Sequence, residues 1–353
     1  MKIQPLIIGD LTARIPVMQG GMGVGISLSG LAGAVAASGG IGIISTAQIG
    51  YRDADFDKDP IGCNLKAVKT EMDKARQIAK GGIVGVNIMV ATRQYEAYVR
   101  AAVEAGVDLI VSGAGLPVDL PKYTVGSGAK LVPIVSSLKS VQVIIKYWMK
   151  KYERLPDAVV IEGPLAGGHL GFSKEQAEHP EELHYDEEVK KILQYVEETE
   201  EAYCARIPVI MAGGIYTRKD MEHYLEMGIS GVQMATRFVT TYECDADEAY
   251  KQCYINACKK DIVIVQSPVG MPGRAIRNSF MEKAKAGKIP HGQCHSCIST
   301  CNPADTPYCI TDALVNAATG RIEDALLFCG ANAWRAEKME HVKDIMEEFG
   351  PED

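Results

Sequence analysis

His169 stands where an apolar run turns into a glycine-crowded loop, Ile161-Glu162-Gly163-Pro164-Leu165-Ala166-Gly167-Gly168-His169-Leu170-Gly171. Imidazole is the side chain whose unperturbed pKa lets it exchange a proton near neutral pH. The glycines around it lack the Cβ atoms that hold a broad, flat ligand off the backbone. Together they suit proton transfer beside a planar ligand, set against the simpler role of a structural hydrogen-bonding histidine. A second group is Cys294, Cys297, Cys301 and Cys309, a C-x2-C-x3-C-x7-C spacing in a loop of Gly, Pro and Asn. That spacing can wrap thiolates around a tetrahedral zinc or an iron–sulfur cluster, and the competing reading is a set of reduced structural thiols. The other six of the ten cysteines, Cys63, Cys204, Cys244, Cys253, Cys258 and Cys329, are scattered and read as small buried hydrophobes. Arg274 and Arg277 lie in a Pro- and Gly-rich run over 267–278 that reads as an irregular loop over the site, where they would meet an anionic ligand or make salt bridges.

The chain that positions these residues has 353 of them, 47% hydrophobic, enough for one large α/β domain and an appendage. A net charge of −8 without any Lys/Arg block excludes a nucleic-acid footprint. The first residues show no secretory n-region, h-region or cleavage site, so thiols are expected reduced and disulfides absent. The weakly polar stretch 20–44 is interrupted by Gly39-Gly40 and reads as buried strand-helix-strand, not as a membrane span. These features describe a cytoplasmic protein acting on a small molecule, with no membrane partner and with a homodimer allowed.

Runs rich in β-branched residues at 15–18, 41–45, 83–89, 109–112, 131–135, 158–162, 208–211 and 231–234 read as strands. Helical patterns at 28–38, 94–105, 138–152 and 217–227 fall between them, the last opened by Thr217 as a cap. Such alternation implies a parallel sheet, and eight units before residue 235 match a (β/α)8 TIM barrel with a smaller appended C-terminal domain. A doubly wound sheet is the alternative. Its phosphate fingerprint would occupy Gly20-Gly21-Met22-Gly23-Val24-Gly25, but the acidic residue expected about 20 residues on is missing. The division is a barrel over 1–244, an appended lid and substrate domain carrying the cysteine run over 245–324, and a C-terminal helix over 325–353 that packs back on the barrel.

In a barrel, chemistry gathers at the carboxyl ends of the strands. That rim would carry Gln19, Gly20, Gly21 and Met22, then Asn87, Gly113 and Gly115, the loop from Glu162 through Gly168 to His169, Gly213 and Gly214, and Ala235 and Thr236. Loops after the seventh and eighth strands commonly take phosphate through backbone N–H groups, and Gly213, Gly214 and Thr236 suit that role against a reading as plain tight turns.

Six motifs, 18–22 (Met-Gln-Gly-Gly-Met), 85–89 (Gly-Val-Asn-Ile-Met), 112–115 (Ser-Gly-Ala-Gly), 166–171 (Ala-Gly-Gly-His-Leu-Gly), 212–215 (Ala-Gly-Gly-Ile) and 231–238 (Gly-Val-Gln-Met-Ala-Thr-Arg-Phe), stand in the order found in the nitronate monooxygenase family. That family includes 2-nitropropane dioxygenase-like proteins and the FMN-dependent enoyl-acyl-carrier-protein reductase II. The resemblance runs over 15–278 and resumes over 308–334. It implies an FMN-dependent oxidoreductase, either of nitronates and nitroalkanes or, as the alternative, of enoyl thioesters or quinones with NAD(P)H as reductant. By resemblance Gln19, Gly20, Gly21 and Met22 lie against the flavin, Asn87 faces its ring, Gly113 and Gly115 line the approach, and Gly213, Gly214 and Thr236 hold its phosphate. Glu162, Gly168 and Ala235 join this cofactor set, and His169 sits over the flavin as base or substrate-orienting donor. Leu165 departs from the Glu of many members, and Ala235 from their usual Gly. A similar Arg-Ala-Ile-Arg-Asn run follows the substrate loop in the reductases, and there Arg274 and Arg277 would face a dinucleotide.

Overall fold

The computed structural model describes residues 2–268 and 270–351. Val269, in the run read as a loop over the site, and the terminal residues Met1, Glu352 and Asp353 lie outside the described residues. The chain opens with an antiparallel hairpin, β1 (Leu6–Ile8) and β2 (Leu11–Ala13). Then come β3 (Val17–Gln19), β4 (Ile41–Ser45), β5 (Ile83–Met89), β6 (Leu109–Gly113), β7 (Lys130–Val135) and β8 (Val159–Glu162). The two-residue β9 (Gly168–His169) precedes β10 (Val209–Ala212) and β11 (Gly231–Met234). All of these from β3 on, except β9, form one closed eight-stranded parallel barrel, β11 pairing with β3 through Val232 and Val17. Each is one of the eight runs read from sequence, shifted by at most two residues at an end. The fold is a (β/α)8 TIM barrel.

The initial hairpin closes the amino-terminal end. Leu6 and Ile8 pack with Met18, Ile41, Ile43, Leu109, Val111 and Val132 inside the barrel, and Asp10 at its turn pairs with Lys130, the first residue of β7, at 2.5 Å. Burying each such aliphatic side chain contributes about 1.5–3 kcal/mol. Helices surround the sheet and start where their caps dictate. Asp59 accepts from the Gly62 amide at 2.9 Å to open Pro60–Ala79, and Ser137 and Thr217 open Leu138–Tyr152 and Arg218–Glu226 with capping boxes. At Gly42 a Cβ would run into the Ala32 carbonyl, so glycine is what lets the helix Ser29–Ala37 lie so close to β4. The last helix, Val342–Phe349, buries Val342, Ile345, Met346 and Phe349 in a cluster shared with Val17, Leu31 and Val35.

Two further strands, β12 (Ile262–Gln266) and β13 (Pro272–Ile276), form a hairpin beyond the barrel. The expectation of an irregular loop over 267–278 is corrected here, because only its first residues turn and 272–276 is a paired strand. Glycine content misled: Gly273 is small because a Cβ there would lie 2.7 Å from the Phe328 ring, not because the chain must bend. β13 also pairs with β9, setting Gly273 opposite His169 and Arg274 opposite Gly168. The hairpin is therefore stitched to the histidine-bearing barrel loop. Among the described residues no helix is long and apolar enough to cross a membrane.

Candidate active site

Parallel strands in a closed barrel all end at one rim, and a cavity of ≈ 430 Å³ opens there. Gly20, Gly21 and Met22 line it from β3, Asn87 from β5, and Gly113 and Gly115 from β6. Glu162, Gly168 and His169 line it from the sixth loop, Gly213 and Gly214 from the seventh, and Ala235 and Thr236 from the eighth. Gln19 is the exception. Its side chain is fully buried and spent on β4, donating to the Ile43 carbonyl and accepting from the Ile43 amide, both at 3.1 Å. It ties two strands together beneath the cavity and does not line it.

Two side chains hold His169. Nε2 lies 2.7 Å from Ser267 Oγ at the turn of the hairpin, and the Phe328 ring meets the imidazole edge-on at 4.9 Å and 68°. Burial pushes its pKa down to about 4, so the ring is neutral at pH 7, a correction to the near-neutral value expected for a free histidine. In the tautomer whose Nε2–H donates to Ser267, Nδ1 keeps its lone pair. Phe328 is fixed in turn by two tyrosine hydroxyls, Tyr250 and Tyr254, which donate to its carbonyl at 2.8 and 2.7 Å.

Glu162, at the end of β8, is the second titratable group of the cavity. Burial raises its carboxyl to about 7, partly opposed by the Gly171 amide, which donates to it at 3.2 Å. Its side chain is half-buried in the open cavity, so the shift applies to the shielded site more than to one flushed with water. Arg274 meets neither expectation set for it. It is buried, pairs with no carboxylate, and donates to the Ala166 carbonyl and, at 3.0 Å, to the Ala177 carbonyl. The guanidinium is a strut across the loop that carries His169. Arg277 is exposed.

Several wall residues escaped the sequence reading. Phe328, Cys329 and Gly330 reach the cavity from far along the chain, and Cys329, read as a scattered hydrophobe, does pack in a core cluster but also borders the cavity. This segment is pinned by the Ala331 amide to the Leu165 carbonyl at 3.2 Å and by Asn332 Nδ2 to the Gly214 carbonyl at 2.6 Å. Leu165, where a Glu was expected by resemblance, packs on Gly214 and lines the wall. Another omission is Gln233 on β11, whose Oε1 is buried at the cavity without a hydrogen-bond partner among the described residues. A lone amide in an otherwise apolar strand was its signal.

The cavity suits a planar, phosphorylated ligand. A buried acceptor left unpaired costs about 1–3 kcal/mol, and a ring N–H brought to Gln233 would relieve that cost. A Cβ at Gly21 would overlap Asn87, so the glycine wall and the amide occupy one shared thickness. Gly213 and Gly214 hold φ of 96° and 84°, a left-handed pair that aims successive backbone groups into one concavity beside Thr236.

The cysteine run presents a different arrangement. All ten cysteines are free thiols. Among the described residues no three of Cys294, Cys297, Cys301 and Cys309 bring their sulfurs mutually within 4.8 Å. The group assembled in this segment is His295, Cys309 and Asp312.

The chain matches the nitronate monooxygenase family over residues 4–352. It is 26% identical over 277 residues to (3aS,4S,5R,7aS)-5-hydroxy-7a-methyl-1-oxo-octahydro-1H-indene-4-carboxyl-CoA dehydrogenase of Mycobacterium tuberculosis, covering 78% of this chain and 67% of that one. It is 25% identical over 308 residues to a probable nitronate monooxygenase of Staphylococcus saprophyticus, covering 80% and 81%. FabK from Thermotoga maritima superposes with a TM-score of 0.72 at 25% identity, covering 96% of this chain and 92% of that chain. Nitroalkane oxidase from Streptomyces ansochromogenes, at 17% identity and a TM-score of 0.70 over 95% and 94%, shares the fold. With the match spanning nearly the whole chain and both barrel and rim in place, this protein belongs to the nitronate monooxygenase family and is an oxidoreductase.

Proposed function

We propose that the protein is an FMN-dependent oxidoreductase that oxidises nitronates or nitroalkanes, with His169 as the base beside the flavin. Bound FMN would supply the two-electron redox step. The residues suited to hold it are Gly213, Gly214, Ala235 and Thr236 for the phosphate, with Gly20, Gly21, Met22, Asn87, Gly113, Gly115 and Gln233 along the ring. One observation carries the reading: the His169 imidazole stands fixed by Ser267 and Phe328 at the wall of the cavity. A neutral imidazole can take the proton from the carbon next to a nitro group, and Ser267 and Phe328 hold its orientation while it does so. Glu162, its carboxyl raised by burial, lines the same cavity as a second group able to hold a proton there.

A second reading rests on the likeness to FabK and on the same pair of side chains. His169 and Ser267 can donate a hydrogen bond to a thioester carbonyl, which suits reduction of an enoyl thioester by NAD(P)H. Anaerobic stopped-flow mixing separates the two. Bleaching of the flavin absorbance by a nitronate, and not by NADH or NADPH alone, is expected. Rapid bleaching by a nicotinamide nucleotide alone would establish the reductase reading in its place.

A further inference from the structure

We infer that His295, Cys309 and Asp312 form a zinc site, separate from the rim cavity and distinct from a four-cysteine centre. Their ligand atoms lie mutually within 4.8 Å, and all three residues border a second cavity of ≈ 550 Å³. His295 is the decisive residue. It is 7% exposed, stacked on Phe56 at 5.0 Å and 18°, and its Nε2 lies 3.0 Å from Asp57 Oδ1. A carboxylate only accepts, so Nε2 carries the proton in that bond, and Nδ1 is the ring nitrogen turned toward Cys309 and Asp312.

That Nδ1 is buried with no hydrogen-bond partner among the described residues, and 3.5 Å away stands Asp312 Oδ1. A metal ion between them would take Nδ1 and Oδ1 as two of its ligands. The separation is close to the roughly 3.4 Å expected between two N or O ligands held tetrahedrally at 2.0–2.2 Å from one zinc ion. Cys309 completes an N, O, S set, which favours zinc over magnesium or calcium. Asp57 on Nε2 supplies the carboxylate that commonly orients a metal-bound imidazole from behind.

The placement gives the ion a mechanical role. Cys309 caps and Asp312 opens the helix Ile310–Ala318, and Leu314 of that helix lines the rim cavity. Phe56 and Asp57 belong to the segment between β4 and the helix Pro60–Ala79. Zinc would fasten the wall of the rim cavity to that barrel loop.

The test is metal analysis of the whole protein purified without chelator or oxygen, followed by zinc-edge X-ray absorption. About one zinc per chain is expected, with one sulfur neighbour near 2.3 Å and the remainder nitrogen or oxygen near 2.0–2.2 Å. His295→Ala and Cys309→Ser should each lose the zinc, while Cys294→Ser and Cys301→Ser keep it. Asp57→Asn should weaken zinc affinity about 10–100-fold. The absorption spectrum is read on unaltered protein, so a variant that fails to fold does not decide the matter. A four-sulfur shell, iron with acid-labile sulfide lost in Cys294→Ser, or no zinc after incubation with one equivalent of Zn²⁺ would overturn the assignment. In the last case the His295 ring only bridges the Asp57 and Asp312 carboxylates.

Discussion

Gly330→Ala tests whether Thr236 holds the cofactor phosphate, because the structure isolates one atom for the perturbation to strike. Gly330 has no left-handed φ, so alanine fits its backbone. The new Cβ would overlap Thr236 Oγ1, while Thr236 Cβ stays at 3.6 Å and the Leu165 carbonyl at 3.8 Å, ordinary contacts. Only the hydroxyl must move. If that hydroxyl donates to a phosphate oxygen, turning it away forfeits one hydrogen bond to a charged group, about 1.5–3 kcal/mol, or roughly 10- to 150-fold in FMN affinity. Thr236→Ala should cost the same amount for the same reason. In the double variant no hydroxyl remains to collide with, so its affinity should match that of Thr236→Ala alone. Fluorescence titration of the apoprotein with FMN measures all four proteins and closes the cycle. Two losses that simply add, or a Gly330→Ala protein with unchanged affinity, would refute the assignment of Thr236 to the phosphate.

Other outcomes follow from the same geometry. His169→Ala should retain flavin yet lose turnover by about 10²- to 10⁴-fold, measured under steady state with a nitronate, and undiminished activity would make His169 structural. His169 titrates at about 4 folded against 6.5 as an ordinary histidine, so the unfolded chain holds more protons between those values. Its contribution to stability therefore rises as pH climbs through that window and is lost on acidification. Glu162 acts in the opposite sense, since its pKa is raised from 4.5 to about 7 and stability falls as pH rises between them. Urea midpoints against pH should lose the first slope in His169→Gln and the second in Glu162→Gln. Arg274→Ala should lower stability by about 2–3 kcal/mol in the same denaturation assay, as two buried carbonyls lose a charged donor, and should weaken substrate binding by loosening the His169 loop.

The barrel was legible because its signal is local. Runs such as Ile83–Met89 and Lys130–Val135 are apolar but for Asn87 and Lys130, as strands covered on both faces are expected to be, and Thr217 announces the helix it caps. Once the strands are placed, the rim residues follow by counting to each strand's end, which is why the glycine and Thr236 positions emerged with them. Contacts between distant segments left no such trace. Phe328 reaches His169 only because two tyrosines hold its carbonyl, and Asp57 reaches His295 across most of the chain. Gln19 was misplaced because an amide in a buried strand fits a ligand or a backbone equally well, and only the Ile43 contacts decide between them. The depressed pKa of His169 comes from burial under the hairpin and Phe328, a property of packing that residue type does not carry.

The central claim is that the rim cavity holds FMN, and identification of the flavin released on denaturation tests it most directly. Purified protein, reconstituted with FMN if isolated without it, should be yellow and should release about one FMN per chain, with Gly214→Asp retaining far less because its carboxylate would stand against the phosphate. A protein that binds no flavin after reconstitution, or that releases FAD, would contradict the account.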